Sequence, residues 1–356
     1  MRKTFALLAL SAVSLWPAVA LAETAVEREV TAVIEEYNNK FRELSPKLAT
    51  AKTDAERAAV RAAAPRPDQY APRLMKIVDT SPEDAGAVKA LCWLATQASG
   101  TPESAKAIEL IGTRYAASAG VWEAAQQLYR TPRAQAEPVL KAIIKNNTHP
   151  EDRCAATHAL ATVLFNASEN LTTPEAKADR EEAKRLFQEV VANYANVTIQ
   201  GFKPADQSSA VLYEMENLAI GCTVPDIEGK DVDGSAFKLS EYRGKHVLLV
   251  FWGSWCHSCH YFLPQLRDLQ TKLKDQPFAV VGVNSDILPE LKTFLSKESV
   301  PWRNFADESS TGPISAVWNI RNWPTLYVID AKGIIRAKNP SVGAVEEMVR
   351  GFIAKP

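Results

Sequence analysis

An all-α segment followed by an α/β domain is what this sequence predicts, and three observations predict it. From Glu23 to about Ala205 the chain is rich in alanine, and its apolar residues recur at spacings of three and four. Around Gly221 that period stops. Beyond it, short apolar runs with β-branched residues alternate with helical stretches, the pattern of a central sheet covered by helices. A chain of 356 residues has room for two such domains.

The first 22 residues read as an export signal. Arg2 and Lys3 make a positive start, and the apolar run from Phe5 to Trp16 is too short to span a bilayer. Ala20-Leu21-Ala22 supplies a small-residue cleavage site, with Glu23 as the first mature residue. The helical domain is expected over 23–205. AVKALCWLATQA (87–98), AKAIELIGTRYA (105–116) and EEAKRLFQEVVANYA (181–195) carry its apolar stripes. SPED (81–84), TPES (101–104), TPRA (131–134), HPED (149–152) and TPEA (173–176) each offer a capping residue, a proline for the first turn and, in most, an acid behind it. SPED and HPED each precede a helix carrying one cysteine, a spacing that suggests helix-pair repeats of about 34 residues. Residues 206–220 are expected as a linker. The α/β domain then takes 221–356, with strands at HVLLVFW (246–252), FAVVGVNS (278–285) and TLYVID (325–330), a turn at AKG (331–333), and helices at 263–274 and 345–353.

Composition narrows the function classes. The chain is 46% hydrophobic and 23% charged, with a formal net charge of −1. Removing the signal leaves 39 basic against 42 acidic residues. No basic excess exists to displace counterions from nucleic acid or to hold an acidic membrane. Export places the five cysteines (Cys92, Cys154, Cys222, Cys256 and Cys259) where disulfides persist. Cys92 and Cys154 occupy similar places in two similar helices and are read either as a disulfide or as two buried thiols; Cys222 is read as a free thiol.

The chemistry concentrates in WCHSCH (255–260). Cys256 and Cys259 form a C-x-x-C dithiol; with His260 the same letters spell C-x-x-C-H, the attachment signature of c-type haem. Position in the fold separates the two. The motif directly follows a strand and opens a helix, so Cys256 falls at a helix N-terminus, where free N–H groups and the dipole favour a thiolate. Cys259 lies one turn further in, placed to attack second as the resolving thiol. The haem reading lacks an evident second axial ligand among five His and four Met. Pro264, one turn on, is expected to kink the helix.

Over roughly 221–356 the chain resembles the thioredoxin superfamily, in particular the TlpA/ResA-like thiol–disulfide oxidoreductases of bacterial envelopes. The resemblance rests on Gly221-x-x-x-Pro225-Asp226, Asp233-Gly234, Gly244-Lys245, Trp255-Cys256-x-x-Cys259 and Trp323-Pro324-Thr325, each in order and in context. It implies a thioredoxin-like α/β fold with a central mixed sheet, Pro324 as a cis-proline against the dithiol, exchange chemistry without a cofactor, protein disulfides as substrates, and an upstream membrane thiol reductant. The 181–195 helix weakly resembles the second helix of a tetratricopeptide repeat.

Departures from the family pattern single out further residues. Val250 stands where thioredoxin has a buried acid six residues before the first cysteine; Glu241, Asp286 and His260 are the loose substitutes. His257, between the cysteines, is either a group that tunes Cys256 or a solvated side chain. Trp323 and Trp255 are expected to shape the site, Trp255 by covering its face, whereas Trp252 is expected in the core. Gly253 occupies the place of the Thr or Ser that a peroxidatic Cys256 would need, which argues against a peroxiredoxin. The expected function is thus an exported thiol–disulfide oxidoreductase reducing envelope proteins through Cys256 and Cys259. The rival reading is a partner-binding helical protein whose redox domain is a sensor or an inert fold; oxidant or isomerase activity, peroxidase activity and haem attachment are the lesser alternatives.

Overall fold

The computed structural model describes residues 23–354 other than 170 and 172; the expected export signal lies outside them. The chain packs as two compact units, one up to Ile111 and one from Gly112.

The first unit is helical: α1 (Ala25–Thr50), α2 (Asp54–Ala62), α3 (Ala71–Thr80), α4 (Ala85–Gln97) and α5 (Pro102–Thr113), whose last residues cross into the second. Capping boxes start α1 and α2, Thr24 with Glu27 and Thr53 with Glu56. The core gathers Val30, Val33 and Tyr37 of α1, Leu74 and Val78 of α3, and Leu91 and Leu94 of α4. Tyr37 meets the rings of Tyr70 and Trp93 edge-on at 5.4 and 5.3 Å. Gly86 lets α4 approach α1, because a Cβ there would lie 2.8 Å from the Glu27 nitrogen.

Helices α6 (Trp122–Ala125), α7 (Arg133–Asn146), α8 (Pro150–Ser168), α9 (Pro174–Asn193) and α10 (Pro204–Asn217) open the second unit. Helix α8 is buried on all sides, from Cys154 to Phe165, which hides the apolar stripe that a surface helix would show. The proline-led starts resolve unevenly. Thr101 and Thr173 cap their helices as expected. Asp84, not Ser81, caps α4. Asp152, expected only as a first-turn acid, is 1% exposed and accepts the N–H groups of Trp122 and Gly120. Cys154 is a buried thiol, the second of the two readings offered for it. The expected boundary at 205 and the linker at 206–220 differ from what is observed: α10 fills most of that span, and helices from α6 onward share a unit with the sheet. Helix α10 buries Ser208 and Glu214 beside Pro204, Ala205 and Val211; polar groups on the inner face break the apolar pattern that would announce a helix.

His158 of α8 sits with Nδ1 3.0 Å from Ser208 Oγ, its ring against Phe187 and Phe202. Burial, with the Arg321 charge adding to it, pushes its pKa down from 6.5 to about 4. Well above pH 6.5 the ring is neutral folded or unfolded. As pH falls towards 4 the unfolded chain gains the proton well before the folded one, so stability drops, by roughly 2.5 kcal/mol at pH 4.5. Urea midpoints at pH 7 and 4.5 should therefore separate less in His158→Gln than in the parent; equal separations would remove His158 from the account.

The sheet region comprises β1 (Glu228–Lys230), β2 (Ala236–Lys238), β3 (His246–Trp252), α11 (His257–Lys272), β4 (Phe278–Asn284), α12 (Leu288–Leu295), β5 (Asn304–Ala306), α13 (Pro313–Val317), β6 (Thr325–Ile329), β7 (Ile335–Lys338) and α14 (Val342–Ala354). Strands β1 and β2 form a separate hairpin. The main sheet runs β5-β4-β3-β6-β7, with β3–β4 and β4–β5 parallel and β3–β6 and β6–β7 antiparallel, a mixed sheet. Every residue of β3 is buried. Val247, Leu249 and Phe251 pack with Phe305, Trp318 and Tyr327 on one face; Leu248, Val250 and Trp252 pack with Leu263, Leu266, Val345 and Val349 on the other. The β6–β7 turn needs Gly333, whose φ is +83°. Helix α11 runs on to Lys272 through Pro264.

Candidate active site

Strand β3 delivers the chain through Gly253 and Ser254 to Trp255, and Cys256 becomes the N-cap of α11. A helix start leaves N–H groups without carbonyl partners. Here the Cys259 N–H donates to Cys256 Sγ at 3.2 Å. Cys256 Sγ also lies 3.3 Å from the Trp323 carbonyl oxygen, to which the thiol donates. The Trp323–Pro324 peptide is cis and leads into β6. Two chain segments far apart in sequence thus bracket one sulfur.

The two thiols differ in environment. Cys256 is 7% exposed and Cys259 1%. Burial, then the hydrogen bond with Cys256, pushes the Cys259 thiol far above its ordinary range. The pair is therefore asymmetric in both burial and acidity. Haem attachment fits this site poorly. A thioether would have to form at the buried Cys259 sulfur, and His260 Nε2, the atom an axial ligand would offer, donates to the Ser254 carbonyl while the ring packs on Phe294.

The aromatic frame is divided as expected for Trp252, which is buried and donates from Nε1 to Asn304 Oδ1 at 2.8 Å. Trp255 is 53% exposed and meets the Trp323 ring at 5.4 Å, so the two indoles line the surface beside Cys256. His257 is exposed on the first turn of α11. Among the three loose acid candidates, Glu241 lies in the turn after β2 and accepts the Lys238 N–H, and His260 is occupied by Ser254. Asp286 is the buried one, at 1% exposure, and its charge contributes to raising Cys259.

Sequence reasoning named Asp286 only as a loose acid candidate and passed over the two residues beside it that complete the group tying these parts together. Asn284 ends β4 and Ser285 and Asp286 follow it, all buried, at the carboxyl edge of the parallel strands where open sheets place their sites. Asp286 accepts both the N–H and the hydroxyl of Ser254, at 2.8 and 2.7 Å, and is itself held by Asn284 Nδ2 at 2.7 Å. Ser285 Oγ accepts from Trp323 Nε1 at 3.2 Å. One tripeptide therefore pins both the loop before Cys256 and the loop that carries Pro324. The signal was present as three polar residues closing an otherwise apolar run.

Among the described residues, no group of three or more His, Cys, Asp or Glu side chains is arranged to hold a metal ion, and no helix is long and apolar enough to cross a membrane.

Comparison with known proteins agrees with this geometry. Residues 220–338 match the AhpC/TSA family model. The thioredoxin-like protein YneN of Bacillus subtilis is 35% identical over 124 residues, which are 33% of this chain and 68% of that one. The thiol–disulfide oxidoreductase ResA of Geobacillus kaustophilus is 29% identical over 124 residues, 35% of this chain and 70% of that one. The crystal structure of the thioredoxin domain of a thiol–disulfide oxidoreductase from Bacteroides vulgatus aligns at 26% identity and a TM-score of 0.36, covering 38% of this chain and 99% of that one. With its mixed sheet, its C-x-x-C at the head of α11 and the YneN relative covered to 68%, the chain belongs to the thioredoxin-like family, in which the ResA relative is named a thiol–disulfide oxidoreductase.

Proposed function

We propose that this protein is exported and reduces disulfides in envelope proteins through the Cys256–Cys259 dithiol. The observation that carries the reading is the asymmetry of the pair: Cys256 sits at the helix start, at the rim and against the Trp323 carbonyl, and Cys259 one turn inside, closed to solvent. The Cys256 thiolate attacks one sulfur of the partner's disulfide, forming a Cys256–partner bond and releasing the other partner sulfur as a thiolate. Cys259 then loses its proton and attacks Cys256 Sγ. The second partner thiol leaves, and the Cys256–Cys259 disulfide holds the oxidising equivalent, two electrons having passed to the partner. Its high thiol pKa keeps Cys259 protonated and idle until the mixed disulfide forms. Pro324 and Trp323 bound the attacking sulfur, with Trp255 and exposed His257 around it. No cofactor takes part; a membrane thiol reductant resets the dithiol. The export signal expected over residues 1–22 supports the envelope setting, and the names of the ResA relatives support the exchange chemistry.

Cys259→Ser removes the resolving step and leaves the attack. Expressed in cells that make the natural partners, this variant should accumulate in disulfide-linked complexes that dissolve on adding dithiothreitol. Absence of such complexes, with parent and variant equally folded, would count against exchange with protein substrates.

A further inference from the structure

The loop that carries Trp323 and Pro324 begins at Trp318, after α13, and runs without regular structure to β6. Trp318 and Ile320 anchor it in the core, and Ser285 holds the Trp323 indole. The residues between those anchors are held by another element. Asn319, at a φ of +48°, accepts from Gln207 Nε2 at 3.2 Å and donates from Nδ2 to Glu214 Oε2 at 2.6 Å. Arg321 donates to the same carboxylate oxygen at 3.4 Å and lies over the Phe165 ring. Glu214 is 4% exposed, and its other oxygen accepts from Lys338 Nζ at 2.6 Å. Gln207 and Glu214 belong to α10 and Phe165 to α8, both outside the residues matched by the family model.

Two turns of α10 therefore grip this loop four and two residues ahead of the carbonyl that meets Cys256. A loop without secondary structure takes its geometry from its side-chain ties, and a catalytic group displaced by about 1 Å can lose a hundredfold in rate. We propose that Glu214 and Gln207 are positioning residues of the redox site: by holding Asn319 and Arg321 they fix the loop that presents the Trp323 carbonyl and Pro324 to Cys256. The helical segment is then a working part of the oxidoreductase. For its activity readout the inference rests on the exchange reading above; its geometry does not.

The test uses the full chain. Asn319→Gly keeps the positive φ without strain, removes both side-chain ties and leaves the Glu214–Lys338 pair intact. The first readout is the rate of Cys256 alkylation by iodoacetamide across pH, read peptide by peptide by mass spectrometry. The expected result is a displaced pH profile and a change of about fivefold in rate. Gln207→Ala should move the profile in the same direction by less. The double variant should match Asn319→Gly alone, because both changes remove the same bond, whereas independent effects would add. Should Asn319→Gly fail to give a cooperative melting transition, Gln207→Ala carries the test, since it leaves every Glu214 bond in place. A profile superimposable on the parent's in folded variants overturns the proposal. Exchange rates of the same variants form the second readout. A parent protein without exchange activity would refute the exchange reading alone, because alkylation needs no redox partner.

Discussion

Cys256→Ser is expected to remove disulfide exchange almost entirely, by about a thousandfold or more against a model disulfide. The thiolate is the nucleophile, and a serine hydroxyl does not ionise in the working range. The loss should be close to complete because nothing nearby can substitute. Cys259 is 1% exposed, its thiol is pushed far up by burial, and the attacking position it would need is occupied by the side chain at 256. Stability should change little, since a serine oxygen can still accept from the Cys259 N–H and donate to the Trp323 carbonyl, the two bonds the sulfur makes. Stopped-flow reduction of a model disulfide, beside a melting curve, checks both halves. Exchange within tenfold of the parent would move the nucleophile elsewhere. Cys222, the partly exposed thiol whose Sγ bonds the Glu216 carbonyl, would then be the residue to replace.

The largest effect on stability is expected at Lys338. Its ammonium ends β7 at 2.6 Å from Glu214 and 2.8 Å from Glu169, with the lysine side chain 15% and the Glu214 side chain 5% exposed. Burial works against its charge, but Glu214 and Glu169 outweigh burial and hold its pKa above the ordinary lysine value. Removing one partner of a buried pair strands the other, at a cost of roughly 3–5 kcal/mol. Asn319 and Arg321 still bond Glu214, so Lys338→Ala should sit near the lower bound, about 3 kcal/mol. Lys338→Met combined with Glu214→Leu should recover part of that, because the two most buried charges go together, while Arg321 and Glu169, each 33% exposed, lose a partner but keep access to water. Urea unfolding of the three proteins separates the cases. A loss under about 1 kcal/mol for Lys338→Ala would place the pair among solvent-screened surface bridges.

The redox half was legible because its signals are local. Strands expected at 246–252, 278–285 and 325–330 appear at His246–Trp252, Phe278–Asn284 and Thr325–Ile329, since buried β-branched runs have few other ways to fold. Cys256 as helix cap followed from a strand running straight into a helical period. What stayed hidden depends on partners distant in sequence. Helix α10 lacks a side-chain cap and turns a serine and a glutamate inward, so it read as linker. The roles of Ser285 and Asp286 exist only because β4 lies beside β3 and the Trp323 loop folds over both. Glu214 could not be singled out at all, because its partners Asn319, Arg321 and Lys338 lie more than a hundred residues away.

Gly253 bears on how this site can change over evolutionary time. A Cβ at that position would lie 2.5 Å from Trp255 Nε1. The threonine that a peroxide-reducing cysteine wants three residues upstream therefore cannot coexist with the indole where it now stands. Adding a side chain at 253 requires the exposed Trp255 indole to move aside, away from the face it shares with Trp323 beside Cys256. The contact between a glycine and an indole thus sets two chemistries against each other: the side chain that would serve a peroxide-reducing sulfur displaces the aromatic face that now stands beside it.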